Sequence, residues 1–309
     1  MGGSSFDYGQ YTTYTKSKTT ATRDELFTSS QLLDEVNPAK IKNGYREACD
    51  STDNPNSTPV IISLDATGSM GFIPEYMVRT GLGELFKNIY DHKPVSDPQV
   101  LFSIYGDVIA GDPAPFGVGQ FESQADLLTA GLEKFWLGGC RGGGNGFETG
   151  SLAYYFALNK TKTDAFTKRG QKGFLITIGD EPPETSLSIA NIKKVFGDEI
   201  ESDITFVQMI EQVSRTWIPI HIIIEEGSHV RGYGLDAVKG PWTELLGPNA
   251  IVCSDHTKLA EVIVAVMEVK SGKDVNTVIN NWDGSTKVAI AKAIGSLSTV
   301  GNDTTSIVF

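Results

Sequence analysis

Residues 60–71 read Val-Ile-Ile-Ser-Leu-Asp-Ala-Thr-Gly-Ser-Met-Gly, an apolar run that ends on Asp65 and is followed by hydroxyls at Thr67 and Ser69. Gly68 lets the chain turn sharply between those hydroxyls. One loop thus offers a carboxylate and two hydroxyls, the hard oxygen ligands that a cation of magnesium size takes. A second apolar run, Phe174–Ile178, ends at Gly179-Asp180. Between the two lies a glycine-rich stretch, Gly142-Gly-Gly-Asn145-Gly-Phe-Glu148, with no Gly-Lys-Ser/Thr to make it a phosphate loop. His92, His221, His229 and His256 show no metal-ligand spacing, and His221, inside an apolar run, reads as a hydrogen-bonded core residue. Glu181, Glu184, Glu225 and Glu226 read as solvated surface rather than direct ligands, and Arg141 as solvent-exposed.

The elements that must position these groups alternate. Val60–Asp65 reads as a buried strand, and Val78, Leu82, Leu85, Phe86 and Ile89 then recur at helical spacing. Val100–Tyr105 is a second strand, with a short one near 116–121. Ser123 and Asp126 resemble a capping box for a helix carrying Leu128, Leu132, Phe135 and Trp136. A helix is expected over 148–160, then the Phe174–Ile178 strand, then a helix with Phe206, Met209, Ile210 and Val213 on one side. Strands at Trp217–Ile224 and Ile251–Cys253 precede a helix striped by Leu259, Val262, Ile263, Val266 and Met267. Such βαβα alternation with near-continuous apolar strands predicts a doubly wound α/β fold, a mostly parallel sheet with helices on both faces. Ligands of such sheets bind beyond the strands' carboxyl ends, where the strand order reverses. Asp65 and Asp180 both occupy strand ends, so neighbouring strands would give their loops one crevice.

Residues 1–56 read as an extension: a Tyr/Thr/Ser-rich arm over 1–22, then one or two short helices over 24–50, the second opened by Asn37-Pro38. Residues 57–271 form the α/β domain, and 272–309 a C-terminal helical tail, with a helix through Val275, Val278, Ile279 and Trp282 stopped by Asp283-Gly284. A weaker helix follows to Leu297, and the end, 304–309, is strand-prone.

With 309 residues, 40% of them hydrophobic, the chain can bury a core that needs no disulfide or structural metal. A formal charge of −12, from 26 basic and 38 acidic residues, argues against general nucleic-acid binding. Cys49, Cys140 and Cys253 are odd in number and lack a CxxC spacing, which points to free thiols in a cytoplasmic setting. The N-terminus lacks the basic and apolar regions of a secretory signal, Phe6 stands where myristoylation needs Ser or Thr, and the apolar run 217–224 is too short to span a membrane.

Asp65-Ala-Thr67-Gly-Ser69, the Gly142–Glu148 loop and Ile178-Gly-Asp180-Glu181 together resemble the von Willebrand factor type A (vWA) family, over roughly residues 57–271. The resemblance is to its bacterial and phage-type members with a variant metal-ion-dependent adhesion site. It implies Mg²⁺ (with Mn²⁺ or Ca²⁺ as substitutes) held by Asp65, Thr67 and Ser69 of a first loop and Asp180 of a third. Thr67 replaces the family's first Ser and keeps its hydroxyl. In the second loop Asn145 stands where integrin-type domains place Thr, and its amide oxygen is the implied ligand. Glu148 and Glu181 stand behind these groups, Glu148 acting through water or capping the next helix. The resemblance implies a non-enzymatic protein-interaction module that takes an Asp or Glu of a partner, such as an AAA+ ATPase or a neighbouring subunit. Two alternatives remain. The terminal segments would suit a structural subunit of a phage or bacterial assembly, which would place the chain in a virion. Asp65-Ala-Thr-Gly-Ser with Gly179-Asp180 also superficially matches phosphoaspartyl phosphatases, with Asp65 as nucleophile.

Overall fold

A computed structural model describes residue 27 and residues 29–297. The expected arm over 1–22 and the strand-prone end at 304–309 lie outside them.

Six strands make the central sheet: β1 (Thr58–Asp65), β2 (Pro98–Tyr105), β3 (Phe116–Val118), β4 (Gly173–Gly179), β5 (Trp217–Ile224) and β6 (Ala250–Cys253). Their order is β6-β5-β4-β1-β2-β3, parallel throughout except for β3, which runs against β2. The fold is the expected α/β class. The chain lays down β1, β2 and β3 to one side and then returns to place β4 on the other side of β1. The order therefore reverses between β1 and β4, and the two strands that end in Asp65 and beside Asp180 are neighbours.

Residues alternate across the pleat as a doubly covered sheet requires. Val60, Ile62 and Leu64 face one core with a helical run over 73–92 (α1), Ala125–Leu132 (α2) and Leu259–Lys270 (α8 below). Ile61, Leu101 and Leu175 face a second core with Ser151–Asn159 (α3), Ile189–Phe196 (α4), Phe206–Val213 (α5) and Leu235–Leu246 (α7). Within α1, Met77–Gly81 are wound as a π-helix. The short helix Ser228–Tyr233 (α6) follows β5.

Several local expectations shift. The region 34–48 forms three 3₁₀ turns and a short strand, Arg46–Ala48, paired with Thr161–Thr163, although Asn37 does cap as expected by accepting from Ala39 N–H. Helix α2 begins at Ala125 with Gln124 at its N-cap, so Ser123 is not the cap. Helices α4, α6 and α7 are additional. The stripe on Leu259–Lys270 (α8) is only part of its burial, because the whole of 259–269 is buried. Val275–Asn280 (α9) and Gly284–Ile294 (α10) cover its outer side, with Val278, Ile290, Ile294 and Leu297 joining the same core. All three cysteines are free thiols.

Candidate metal centre

Strand β1 carries Asp65 to the switch point and buries it completely, with 0% of its surface exposed. Its Oδ1 accepts from Thr67 N–H (2.8 Å) and Thr67 Oγ1–H (2.7 Å), which fixes the turn after the strand. Its Oδ2 is buried and has no hydrogen-bond partner. Thr67 Oγ1 lies 3.1 Å from Ser69 Oγ, and Ser69 Oγ donates to Asp180 Oδ1 at 2.6 Å. A chain of oxygens thus links the two strand-end acids, and it opens to solvent through exposed Gly68 and half-exposed Ser69.

Asp180, also fully buried, is held from the far side by the loop after β5. His229 N–H donates to its Oδ2 at 2.9 Å, and Ser228 Oγ–H donates to the Ser69 carbonyl at 3.1 Å, tying that loop to the first one. Gly227 makes this approach feasible, since a Cβ there would overlap Asp180 Cβ, Cγ and Oδ2.

Glu148 is the glycine-rich loop's contribution. It is 6% exposed, and its Oε1 and Thr67 both crowd Gly142, which has a φ of +72° and no room for a side chain. Its Oε2 is a second buried oxygen without a partner. Asn145 goes elsewhere: it is exposed, and its amide donates to Asp107 Oδ2 at 2.5 Å. The structure therefore brings Thr67, Ser69 and Asp180 to Asp65, with Glu148 beside Thr67, and engages the Asn145 amide nitrogen with Asp107.

Electrostatics follow from packing so many acids at one sheet end. Burial, then repulsion from Asp180, holds the Asp65 carboxyl well above its ordinary range, against the Thr67 hydrogen bonds. Burial and then Asp65 push Glu148 up to about 10. Burial and then Asp180 push Glu181 up to about 7. Glu181 is half-buried, with His229 Nδ1 3.4 Å from its Oε1. Trp242 of α7 donates its indole N–H to the Glu181 carbonyl at 2.9 Å. The same indole stacks on His221 at 3.6 Å, while His221 Nδ1 meets Thr177 Oγ1 at 2.9 Å, so His221 is a core residue as expected.

Three acids were not singled out by motif. Asp107 and Asp112 follow β2, and both are buried. Asp112 takes the backbone N–H groups of Asp107, Arg141 and Gly142, pinning the glycine-rich loop. Asp107 accepts from Ile109 N–H and Thr149 Oγ1–H as well as Asn145. Tyr105-Gly-Asp107 is a third strand-end acid, the signal that would have found it. Glu184 corrects an expectation: it is 2% exposed rather than solvated, because its Oε1 caps the N-terminus of α3 through Ser151 N–H and Oγ–H.

The donor set fits a hard divalent cation. The buried carboxylates of Asp65 and Asp180 and the two hydroxyls supply oxygen only, and Asp65 Oδ2 and the nearby Glu148 Oε2 lack any proton donor. Leaving such oxygens uncompensated in a protein interior is costly.

No protein-family model matches the sequence, and no curated protein matches it. Among solved structures, the chain is similar to the pilus adhesin SpaC of Lactobacillus rhamnosus GG in an open conformation (TM-score 0.46, 10% identity, 75% of this chain and 31% of that one). It is also similar to proximal thread matrix protein 1 of the mussel byssus (TM-score 0.42, 10% identity, 72% and 48%) and to a von Willebrand factor type A protein from Catenulispora acidiphila (TM-score 0.36, 13% identity, 71% and 44%). The matched region spans less than half the length of each of these structures.

Proposed function

We propose that this chain is a cation-dependent protein-binding module of the vWA kind, with Asp65, Thr67, Ser69 and Asp180 as the cation-holding residues and Glu148 in place of Asn145 as the contribution of the second loop. The observation that carries the reading is the buried, unpartnered Asp65 Oδ2 at the switch point, on a carboxylate whose Oδ1 is linked to Asp180 by a run of two hydroxyls. Thr67 orients Asp65 through two hydrogen bonds, and the Gly227–His229 loop orients Asp180. Bound Mg²⁺ would supply a positive, partly open coordination position in an otherwise acidic protein, and an Asp or Glu of a partner protein would complete it. Exposed Gly68 and the exposed residues of 141–145 leave that position reachable. Asp65 acts here as a ligand and not as a phosphoryl acceptor. Among the described residues no helix is long and apolar enough to cross a membrane.

Calorimetric titration of the full chain with Mg²⁺ and Mn²⁺ tests the site, with Asp65→Ala and Asp180→Ala expected to lose binding while circular dichroism stays unchanged. Partner capture is then compared in Mg²⁺ and in EDTA. Magnesium-dependent capture that persists in Asp65→Ala would overturn the mechanism.

A further inference from the structure

The carboxyl ends of β5 and β6 gather a second set of ligand-type side chains, none of them used above. Glu226 follows β5, Asp255 and His256 follow β6, and one ligand atom from each lies within 4.8 Å of the others. Among the described residues this is the one such convergence of three His, Cys, Asp or Glu. The groups are oriented before any ligand arrives. His256 N–H donates to Glu226 Oε2 at 2.6 Å, and His256 Nδ1 lies 2.6 Å from the same oxygen. Phe72 and Tyr76 meet the imidazole edge-on, both at 83°. Asp255 Oδ1 is fixed by Thr257 N–H (3.0 Å) and Oγ1–H (2.6 Å).

An independent observation points to missing positive charge. Glu261, in the first turn of α8 and within electrostatic reach of Asp255, is 8% exposed, and its buried Oε2 has no partner. Half-buried Glu84 adds a further repelling carboxylate, and Lys258 reaches Glu261 Oε1 only at 3.8 Å. The Glu261 carboxylate thus stays incompletely compensated within electrostatic reach of Asp255.

We propose that Glu226, Asp255 and His256 form a second cation site, specific for a borderline ion of the Zn²⁺ class. One imidazole nitrogen with two carboxylates is a donor set for zinc, three protein ligands leaving a fourth position to water, whereas the Asp65 site offers oxygen alone. The site does not depend on the function proposed above. It does adjoin it, since Glu226 precedes the Gly227–His229 segment that holds Asp180.

Equilibrium dialysis of the full chain against Zn²⁺ in excess Mg²⁺, read by elemental analysis, tests the site. The parent is expected to retain one equivalent of Zn²⁺, and Asp65→Ala to retain it too. Glu226→Gln and His256→Gln should each weaken uptake at least tenfold with unchanged circular dichroism. Should either fail to fold, Asp255→Asn, which keeps the Thr257 hydrogen bonds, gives the same readout. Absence of Zn²⁺ uptake by the parent overturns the proposal. So does uptake unchanged in the folded variants, or lost in Asp65→Ala alone.

Discussion

Replacing Asp65 by Asn separates what this residue does for the fold from what it does for a cation. In the cation-free protein Asp65 Oδ2 is buried without a partner, and Asp180 repels the charge. A buried unsatisfied polar group costs about 1–3 kcal/mol, and more when charged. Asn keeps an oxygen to accept from Thr67 N–H and Oγ1–H and removes the charge. In EDTA at pH 8, Asp65→Asn should therefore be at least as stable as the parent. Cation binding reverses the ranking. At a Mg²⁺ concentration about 100 times Kd the parent gains about 2.7 kcal/mol. In a fold of this size that raises Tm by roughly 4–5 °C. The variant should show no such rise. The assay is thermal unfolding followed by circular dichroism, with and without Mg²⁺, for both proteins. A parent indifferent to Mg²⁺, or a variant that keeps the full rise, would refute the reasoning.

Gly227→Ala should lower Mg²⁺ affinity at least tenfold, by about 1.4 kcal/mol or more, because its Cβ would displace Asp180, whereas Gly232→Ala, with open space around it, should leave affinity unchanged; calorimetry compares the two. Burial first, against the hydrogen bonds of Ser151, raises Glu184 from 4.5 to about 7, so its stabilising contribution is complete below 4.5 and is lost as pH rises through 7. In EDTA the parent should lose on the order of 3 kcal/mol across that window relative to Glu184→Gln, measured by urea unfolding at each pH. Burial lowers His221 to about 3, so its contribution has the opposite sign, present above 6.5 and lost as pH falls toward 3, and His221→Asn should flatten the acid limb of the same curves. Incubation with beryllium fluoride and Mg²⁺ should leave Asp65 unmodified by mass spectrometry, while a stable adduct there would favour phosphoryl chemistry over adhesion.

Much of the arrangement was legible because strong signals carried it. The apolar runs ending at Asp65 and Gly179 are strands buried on both faces, as their near-continuous hydrophobicity predicts, while their adjacency came only from the structure. What escaped was what depends on tertiary contacts. Helices α6 and α7 bury few side chains (Val230, Val238, Trp242 and Leu246), and Gly232, Gly234, Gly240 and Pro241 mask their period. Glu184 sits in Glu-Pro-Pro-Glu, which reads as a polar turn, and only the buried N-terminus of α3, whose Ser151 N–H it caps, explains why it is buried. Asn145 resembles a ligand by its place in a loop, and its amide nitrogen also engages the buried Asp107, a contact that no local pattern announces.

Trp242 gives the molecule an optical handle. Its indole is joined by one hydrogen bond to the Glu181 carbonyl, next to Asp180, and lies face to face with His221. Indole emission responds to the polarity and hydrogen bonding of its surroundings, so a shift in the Asp180–Glu181 backbone would register as a change in fluorescence intensity or wavelength. Trp217 donates to the Ala157 carbonyl and Trp282 stacks on His92, so both report on other parts of the fold. The chain therefore carries a label-free reporter at the carboxyl end of β4, and Trp242→Phe identifies which part of the emission belongs to it.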